Sequence, residues 1–426
     1  MMMFVIFLAL VAMVCINVPI AVALALAAVL AIFISDGGAA LVTIALDMYN
    51  GARSFSLIAI PMFVLAGAIM NATGITRRLI AFVSAVIGFV RGGLAMVNVG
   101  VSLFFAEISG SAVADVAAMG SIIIPEMKKR GYPAPFAAAI TSSSASLAII
   151  IPPSIPMILY AVAAGTSIEQ MFVAGVVPGL IGAAGLMGVA YYYAVKYNLP
   201  MEEAFNLRRL RTTFVEALPT FSLPVIILGG IFGGFVTATE GAGIAVVAAI
   251  LVGIWYREVD WGQLKQAMLE GGIQTAVVML LVAASILMGS YLTQARVPQQ
   301  LAEGILDITS NQYLILLILN VFFLVIGFFL HSAAAIILVV PVIVPLIQQA
   351  GIDPVHFGLV VTLNLAIGQQ TPPVASVLIT ACSIAKANIW EVSKANLPFV
   401  GVLLFVLLLC TYVPAVPMFL VEYFYR

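Results

Sequence analysis

Long apolar segments alternate along this chain with short loops that are rich in charged residues. The hydrocarbon core of a bilayer is about 30 Å thick, so a spanning helix needs roughly 20 predominantly apolar residues. The pattern predicts a helix within residues 1–34 and further spans at 54–70, 172–195, 214–235, 242–256, 273–292 and 397–412. It therefore predicts a helical chain that crosses a membrane several times.

Residues 104–160 depart from this pattern because small polar residues and prolines interrupt two apolar segments. The first interruption is Ser109-Gly110-Ser111, and the second extends from Ser142 to Ser146 and on to Pro152-Pro153. A broken helix leaves backbone amides and carbonyls unpaired, and in a bilayer it persists only where protein or a solute-filled cavity satisfies them. The sequence therefore predicts a binding site in this stretch.

Positive charges decide how the first interrupted segment lies in the membrane. Residues 94–127 could form one over-long helix or two helices that meet at Ser109-Gly110-Ser111. A single crossing would put Arg91 and the run Lys128 to Arg130 on opposite sides, whereas a re-entrant hairpin keeps both cytoplasmic, as the positive-inside tendency requires. We therefore predict a hairpin at 94–127, preceded by an interfacial helix at 75–91.

The second half of the chain repeats the first at a shift of 220 residues. The matched residues are prolines and glycines, which shape the backbone: Pro125 with Pro345, Gly131 with Gly351, Pro152-Pro153 with Pro372-Pro373, and Pro178 with Pro398. Five predicted crossings separate the copies, and an odd number inverts the second one. The loop 348–354 should then be periplasmic, and it contains no Lys or Arg. The predicted fold class is an all-α polytopic membrane protein with an inverted repeat, two re-entrant hairpins and two broken helices, an arrangement typical of secondary transporters.

Composition excludes several other classes of protein. Hydrophobic residues make up 64% of the chain, charged residues only 8%, and the mean hydropathy is +1.21, which excludes a soluble globule. The net charge is −1 without a basic tract, so nucleic acid is not an expected partner. Single cysteines, two histidines and the lack of a phosphate-binding loop predict no disulfide, no transition metal, no cofactor and no enzymatic activity.

The predicted hairpin tips and helix breaks suggest a site for two kinds of solute. The tips are Ser109-Gly110-Ser111 and Leu330-His331-Ser332, and the broken helices contribute residues 144–152 and 364–371. Within the second of these helices the break itself is expected at Gly368 to Pro372. Hydroxyls and freed carbonyls suit a hard cation such as Na⁺. The helix N-termini at the same breaks present backbone amides, which favour an anion.

The motifs in these regions resemble those of a known transporter family. The runs are GSAVADVAAMGSIIIPEMKKRGYPAPFAAAIT, IIIPPSIPMILYA, ATEGAGIAVV and NLAIGQQTPPV. They resemble the large membrane subunit of TRAP (tripartite ATP-independent periplasmic) transporters, and the resemblance covers essentially the whole chain. It implies a Na⁺-driven elevator that imports an organic acid through the bacterial inner membrane. It also implies two partners, a small four-helix membrane subunit and a periplasmic substrate-binding protein.

The resemblance also implies a division of the chain into two kinds of domain. Residues 1–92 would form scaffold helices and the first interfacial arm helix, and residues 196–310 further scaffold helices and the second arm. Residues 93–195 would form the first repeat of the transport domain, with its hairpin at 94–127 and its broken helix at 134–164. Residues 311–426 would form the second repeat, with a hairpin at 311–347, a broken helix at 355–385 and the last helix.

The resemblance also assigns binding roles to individual residues of this chain, at the positions that match the motifs of the family. The resemblance implies Na⁺ binding by Ser109, Gly110, Ser111, Ala148, Ile151, Pro152, Gly327, Ser332, Gly368 and Thr371. The expected substrate-binding residues are Ser111, Ser144, Ser146, His331, Asn364 and Gln369. His331 departs from the family pattern, which usually has an aspartate there, so it is expected to alter anion selectivity or the pH dependence of transport.

Several alternatives remain open from the sequence. A serine in a membrane helix is about as often a backbone hydrogen-bonding or packing residue as a ligand, which applies to Ser102, Ser142 and Ser143. A stand-alone cation-coupled carboxylate carrier would use the same inverted repeat without a binding protein. The sequence is compatible with coupling to Na⁺ or to H⁺. It is also compatible with a small subunit that is fused, separate or absent. Dicarboxylates, sialic acid and other sugar acids all fit an anion site of this type.

Overall fold

The computed structural model describes residues 9, 12–13, 16, 18–38, 41–201, 204–258, 261–372 and 374–425, with side chains described except at 36, 41, 43, 107–109 and 263. The described chain is built of helices and the loops between them. The predicted helix within residues 1–34 lies partly outside the described residues, and its described part is α1 (Ile20–Asp36).

Eight of the described helices are long and apolar enough to cross a membrane. They are Phe55–Ala72, Ile168–Lys196, Leu207–Phe232, Ala238–Tyr256, Leu264–Gln294, Gln312–Phe329, Ser332–Gln349 and Ile389–Tyr412. Six of them coincide with or overlap the six spans predicted after residue 34, which confirms a polytopic, all-helical membrane protein.

One group of helices packs around α13 (Trp261–Gln294). It includes α1, α2 (Leu41–Ala52) and α3 (Ala59–Ala72), and α3 also packs along α12 (Ala238–Tyr256). The helix α12 begins at a capping box, in which Thr237 accepts a hydrogen bond from the Glu240 amide and Glu240 accepts one from the Thr237 amide. Two otherwise unpaired amides are thereby satisfied at the end of a membrane helix.

The amphipathic helix α4 (Ile75–Ile87) is fixed to this group by an ion pair. Both terminal nitrogens of Arg78 donate to the carboxylate of Glu258, each at 2.9 Å, and the guanidinium lies 3.7 Å from the ring centroid of Tyr256. The hydrogen bond from Arg78 lowers the pKa of the Glu258 carboxyl. Glu258 lies two residues after the end of α12, so this clamp joins α4 to the end of a spanning helix.

The first interrupted segment forms two helical arms that meet at a tight turn. One arm is α5 (Gly93–Ser109), and the other comprises α6 (Ala112–Asp115), a π-helical turn (Val116–Gly120) and α7 (Ser121–Lys129). Between the arms Gly110 has a φ of +57°, a left-handed conformation that glycine adopts without strain. The turn therefore lies where the sequence predicts a hairpin tip.

The first broken helix follows this pair of arms. It consists of α8 (Ala134–Ala145), a 3₁₀ turn (Ser146–Ile149) and α9 (Ile155–Ala164), and α10 (Ile168–Lys196) comes next. The chain then continues through α11 (Leu207–Phe232), α12, α13 and the short α14 (Val297–Ile308).

The second half has the same elements at the predicted shift. They are α15 (Gln312–Phe329), α16 (Ser332–Gln349), α17 (Pro354–Gly368), α18 (Ser376–Ala385), α19 (Ile389–Tyr412) and α20 (Ala415–Tyr425). The pair formed by α17 and α18 is the second broken helix. In addition, α8 packs against α18, and α9 packs against α17. The two broken helices therefore run antiparallel, as an inverted repeat requires.

The helix breaks occupy less of the chain than the sequence suggested. The prediction placed an interruption from Ser142 to Pro153, but α8 continues to Ala145 and the 3₁₀ turn to Ile149. In the second half, α17 ends at Gly368 and α18 begins at Ser376, which agrees with the break predicted at Gly368 to Pro372 but not with the wider interval 364–371. Serine and asparagine can remain inside a membrane helix when neighbouring helices provide hydrogen-bond partners for their side chains. Proline removes a backbone hydrogen bond, so the prolines mark the breaks better than the polar residues do.

Candidate functional site

Each pair of helical arms contacts the broken helix of its own half. A Cβ atom added at Gly110 would lie 2.9 Å from the carbonyl oxygen of Pro153, in the first break. A Cβ added at Gly368, just before the second break, would lie 2.5 Å from the carbonyl carbon of Gly327. The structure therefore brings together the segments that the sequence pairs in each predicted cation site.

A cavity of about 440 Å³ lies between the two turns. Its polar lining comes from Ser111, His331, Ser332, Gln369 and, from α13, Gln274. The remaining walls are mainly apolar side chains of α1, α9 and α13. Among the described residues that line this cavity there is no Lys, Arg, Asp or Glu.

The cavity also receives the N-terminal ends of two helices. Ser111 is the N-cap of α6 and His331 is the N-cap of α16, and neither side chain makes a capping hydrogen bond. Ala112, Ser332 and their neighbours line the cavity, so the first backbone amides of both helices lie at its wall. Amides and the positive end of a helix dipole favour an anion at such a position.

Two buried polar networks hold the arms against the broken helices. In the first half, Ser144 donates to Asn98 at 3.1 Å, and Asn98 donates to Thr141. In the second half, the residue equivalent to Ser144 is Asn364, which donates to Asn320 at 2.7 Å. Both residues are fully buried. These two predicted substrate-binding residues therefore lie behind the cavity, bonded to protein.

Asn364 nevertheless keeps one unused acceptor. Its Oδ1 atom is buried and accepts no hydrogen bond within the part of the chain that the structure describes. The backbone carbonyl of Asn364 lies near Gly327. An oxygen of this kind fits a cation ligand beside the second break.

A third network joins the two halves and was not foreseen from the sequence. Ser143 of α8 lies 2.7 Å from the side-chain oxygen of Gln370 and 2.6 Å from that of Asn396 in α19. Gln370 also donates to Ser146, another predicted substrate-binding residue. All four side chains are buried. The side-chain amide of Gln370 in an apolar segment was a signal for such a network, but its partners Ser143 and Ser146 are more than 200 positions away in the chain.

The remaining predicted ion-binding residues lie along the same breaks. Ala148 is buried in the 3₁₀ turn, and Ile151 and Pro152 lie in the first break. At the second break the Thr371 hydroxyl donates to the Ile367 carbonyl at 3.1 Å. The side chain of Ser109 lies outside the described residues.

A second cavity of about 420 Å³ adjoins the first. Both are lined by Val64, Ser111 and Gln274, and the second extends past Asn71 and Thr76 to Glu270. Sequence reasoning did not identify the α13 residues Glu270 and Gln274, because the apolar pattern of α13 predicts only a spanning helix.

Comparison with known proteins gives a consistent result. Residues 6–416 match the family described as "Tripartite ATP-independent periplasmic transporter, DctM component". The isethionate TRAP transporter permease protein DctMQ of Oleidesulfovibrio alaskensis is 39% identical to this chain. The aligned region covers 95% of this chain and 64% of that protein. The C4-dicarboxylate TRAP transporter large permease protein DctM of Pseudomonas aeruginosa is 38% identical over 88% of both chains.

The fold also has a counterpart among solved structures. The Alcanivorax borkumensis YdaH transporter superposes with a TM-score of 0.64, covering 89% of both chains at 14% sequence identity. That likeness concerns the fold alone. The sequence relationships go further: this chain belongs to the DctM component family of the tripartite ATP-independent periplasmic transporters, and it is a transporter permease, not an enzyme.

Proposed function

We propose that this protein performs Na⁺-coupled secondary active import of an organic acid anion across the bacterial inner membrane. The observation that supports this most strongly is the cavity between the two turns. It combines two helix N-termini with hydroxyl and amide side chains, and no described Lys or Arg lines it. An anion there meets partial positive charges, and no described lysine or arginine side chain.

Coupling follows from this electrostatic arrangement. The oxygen-rich breaks on either side of the cavity suit Na⁺, which prefers hard oxygen ligands. A cation bound at Gly110 to Pro152, or at Gly327 to Thr371, would supply the positive charge that the cavity wall lacks. The anion would therefore bind well only when the cation sites are filled, which is the thermodynamic requirement for symport.

Transport would proceed by an elevator motion of one helix group against the other. The moving part would comprise residues 93–195 and 311–426, and the fixed part residues 1–92 and 196–310. The group around α13 meets the second half mainly where α13 contacts α16, beside the cavity. The cavity thus lies between the two proposed domains.

The proposed partners follow from the family and its members. The family is tripartite by its description, so we propose a small four-helix membrane subunit and a periplasmic binding protein that delivers the substrate. The relatives are named for isethionate, C4-dicarboxylates and 2,3-diketo-L-gulonate, all organic anions. The substrate proposed for this chain is therefore an organic acid of this general class.

Reconstituted uptake tests the proposal. The chain and its small subunit are placed in liposomes, and purified binding protein is added with labelled isethionate, succinate or a sugar acid. We expect uptake that requires both an inward Na⁺ gradient and the binding protein. Na⁺-dependent uptake without the binding protein would instead identify a stand-alone carrier, and uptake driven equally by a proton gradient in Na⁺-free buffer would contradict Na⁺ coupling.

A further inference from the structure

The second cavity forms a polar extension of the site along one side of the molecule. One wall of this cavity is formed by α6 and the π-helical turn that follows it. The opposite wall is formed by α3, α4 and α13. The first of these walls contributes mainly alanines, including Ala114, Ala117 and Ala118. The polar side chains face them from α3, α4 and α13, so the two walls differ in character.

The helix α13 contributes two polar residues to this cavity, Glu270 and Gln274, which lie one turn apart on the same helix face. Gln274 lines both cavities, whereas Glu270 lines only the second. A substrate that leaves the first cavity by this route would pass Gln274 and then Glu270.

Glu270 is the one charged residue among the described residues that line the two cavities. Its carboxylate accepts a hydrogen bond from Gln266 at 2.9 Å, and the residue is exposed. Across the cavity mouth, the Thr76 hydroxyl donates to Asn71 at 3.1 Å. Glu270 precedes the predicted span at 273–292, so its carboxylate lines the second cavity near the end of the helix.

The position of Glu270 also identifies the side to which the cavity leads. Lys265 precedes it by five residues, and Arg77 and Arg78 follow Thr76 directly in α4. Clustered basic residues beside membrane helices mark the cytoplasmic side. The second cavity therefore leads from the turns towards the cytoplasm.

We propose that Glu270 is a release residue, whose carboxylate weakens anion binding in the cytoplasmic part of the path and so prevents substrate from returning to the site. This inference rests on the proposed function, because it assumes an anionic substrate that leaves on the cytoplasmic side. The same carboxylate attracts the cations that must leave by this route. Gln274, which is uncharged, passes the anion from the site to this region by hydrogen bonding.

The experiment compares Glu270→Gln with the wild-type protein in liposomes preloaded with unlabelled substrate. One unit charge within a cavity's width of another changes affinity by on the order of fivefold. We expect internal substrate to inhibit net uptake of labelled substrate at about fivefold lower concentration in Glu270→Gln. The apparent KM for substrate delivered by the binding protein should stay within about twofold of wild type, because delivery is on the other side.

Matched variants separate charge from structure. Glu303→Gln removes an exposed carboxylate from α14, which does not line either cavity, and should behave as wild type. Glu270→Asp keeps the charge and should restore weak inhibition, which covers the case in which Glu270→Gln does not fold.

Two results would overturn the inference. One is equal inhibition in wild type, Glu270→Gln and Glu303→Gln, and the other is a Glu270→Asp protein that is inhibited as strongly as Glu270→Gln. Failure of the proposed function would look different, since wild-type protein would then show no Na⁺-dependent uptake at all.

Discussion

The two halves of the molecule share a backbone plan but not a set of side chains. The arms α5 and α15 and the broken helices coincide at a shift of 220 residues. At equivalent positions, however, Ser111 of the first turn becomes His331 in the second, and Ser144 becomes Asn364. The network around Gln370 has no counterpart, because the residue equivalent to Gln370 is Ile150. Duplication thus preserved the geometry of the site while its two sides acquired different chemistry.

The interfacial helices differ in a similar way. The first, α4, is held by the clamp of Arg78, Glu258 and Tyr256. Its counterpart α14 makes no ion pair within the described part of the chain. Among the described residues, therefore, an ion pair ties α4 to the end of α12, and no ion pair ties α14.

The largest effect is expected at a glycine that one half has and the other lacks: Gly368, where an arm approaches the second break, corresponds to Ala148 in the first half. In Gly368→Ala the new methyl group would meet the backbone of Gly327 at 2.5 Å, and a backbone cannot move aside as a side chain can. We expect Na⁺-dependent uptake to fall at least about tenfold, since displaced ligands bind Na⁺ poorly. Gly401→Ala in α19 is the control, because its methyl group would meet nothing within 4 Å. Normal uptake by Gly368→Ala would show that this contact is not part of the site.

The polar networks offer a second test of the comparison. Asn364→Ala would leave the buried oxygen of Asn320 without its donor, at a cost of about 1–3 kcal/mol in stability. Ser144→Ala in the first half removes the 3.1 Å bond to Asn98 and the 2.9 Å bond that Ser144 accepts from Ser102, so it should cost a similar amount, about 1–3 kcal/mol. Thermal unfolding in detergent measures both changes. A loss below about 0.5 kcal/mol for either variant would show that its network does not stabilise that half.

The clamp on α4 gives a smaller effect that depends on pH. Arg78→Gln should destabilise the protein by about 1–2 kcal/mol, because it removes a bidentate bond and a cation–π contact. Arg77 donates to the same carboxylate at 3.0 Å, but its side chain is 76% exposed, so Arg77→Gln should cost less than about 1 kcal/mol and gives the comparison for an exposed ion pair.

The pH dependence of this effect has a definite sign. Since the pKa of Glu258 is lowered in the folded protein, the contribution of the clamp is present above the unfolded carboxyl pKa of about 4.3. It is lost as the pH falls through the lower folded value. The stability difference between wild type and Arg78→Gln should therefore persist from pH 7 to pH 5 and shrink below that. A difference that vanished already at pH 6 would rule out Glu258 as the partner that matters.

The smallest expected effect distinguishes the two turns themselves. His331→Ser gives the second turn the side chain that Ser111 has in the first. The ratio of the inhibition constants of monovalent and divalent acids in a competition assay should then change by about threefold, roughly the effect of one hydrogen bond. His331→Asp and His331→Ala test whether the imidazole also sets the pH profile. If all three variants keep the wild-type selectivity and pH profile, the difference between the turns has no role in recognition.

Much of this architecture follows from the sequence, and the reasons for the rest are physical. Prolines and glycines fix the backbone locally, so Pro152, Pro372 and Gly110 located the breaks and the first turn. Side-chain partners depend on tertiary packing, which is why the hydrogen bonds of the predicted substrate-binding residues Ser144 and Asn364 to Asn98 and Asn320 could not be predicted from the sequence. Glu270 gave no local signal, because only the folded chain brings α13 against the first turn.

The most direct test of the central claim is the Na⁺ dependence of uptake in reconstituted liposomes. If each half supplies one cation site beside a shared anion cavity, uptake should rise sigmoidally with Na⁺, with a Hill coefficient that approaches about two. In Ser111→Ala, which alters one half only, the coefficient should fall towards one while uptake remains Na⁺-dependent. Uptake that is insensitive to Na⁺, or a wild-type curve that is hyperbolic and unchanged in Ser111→Ala, would contradict the claim.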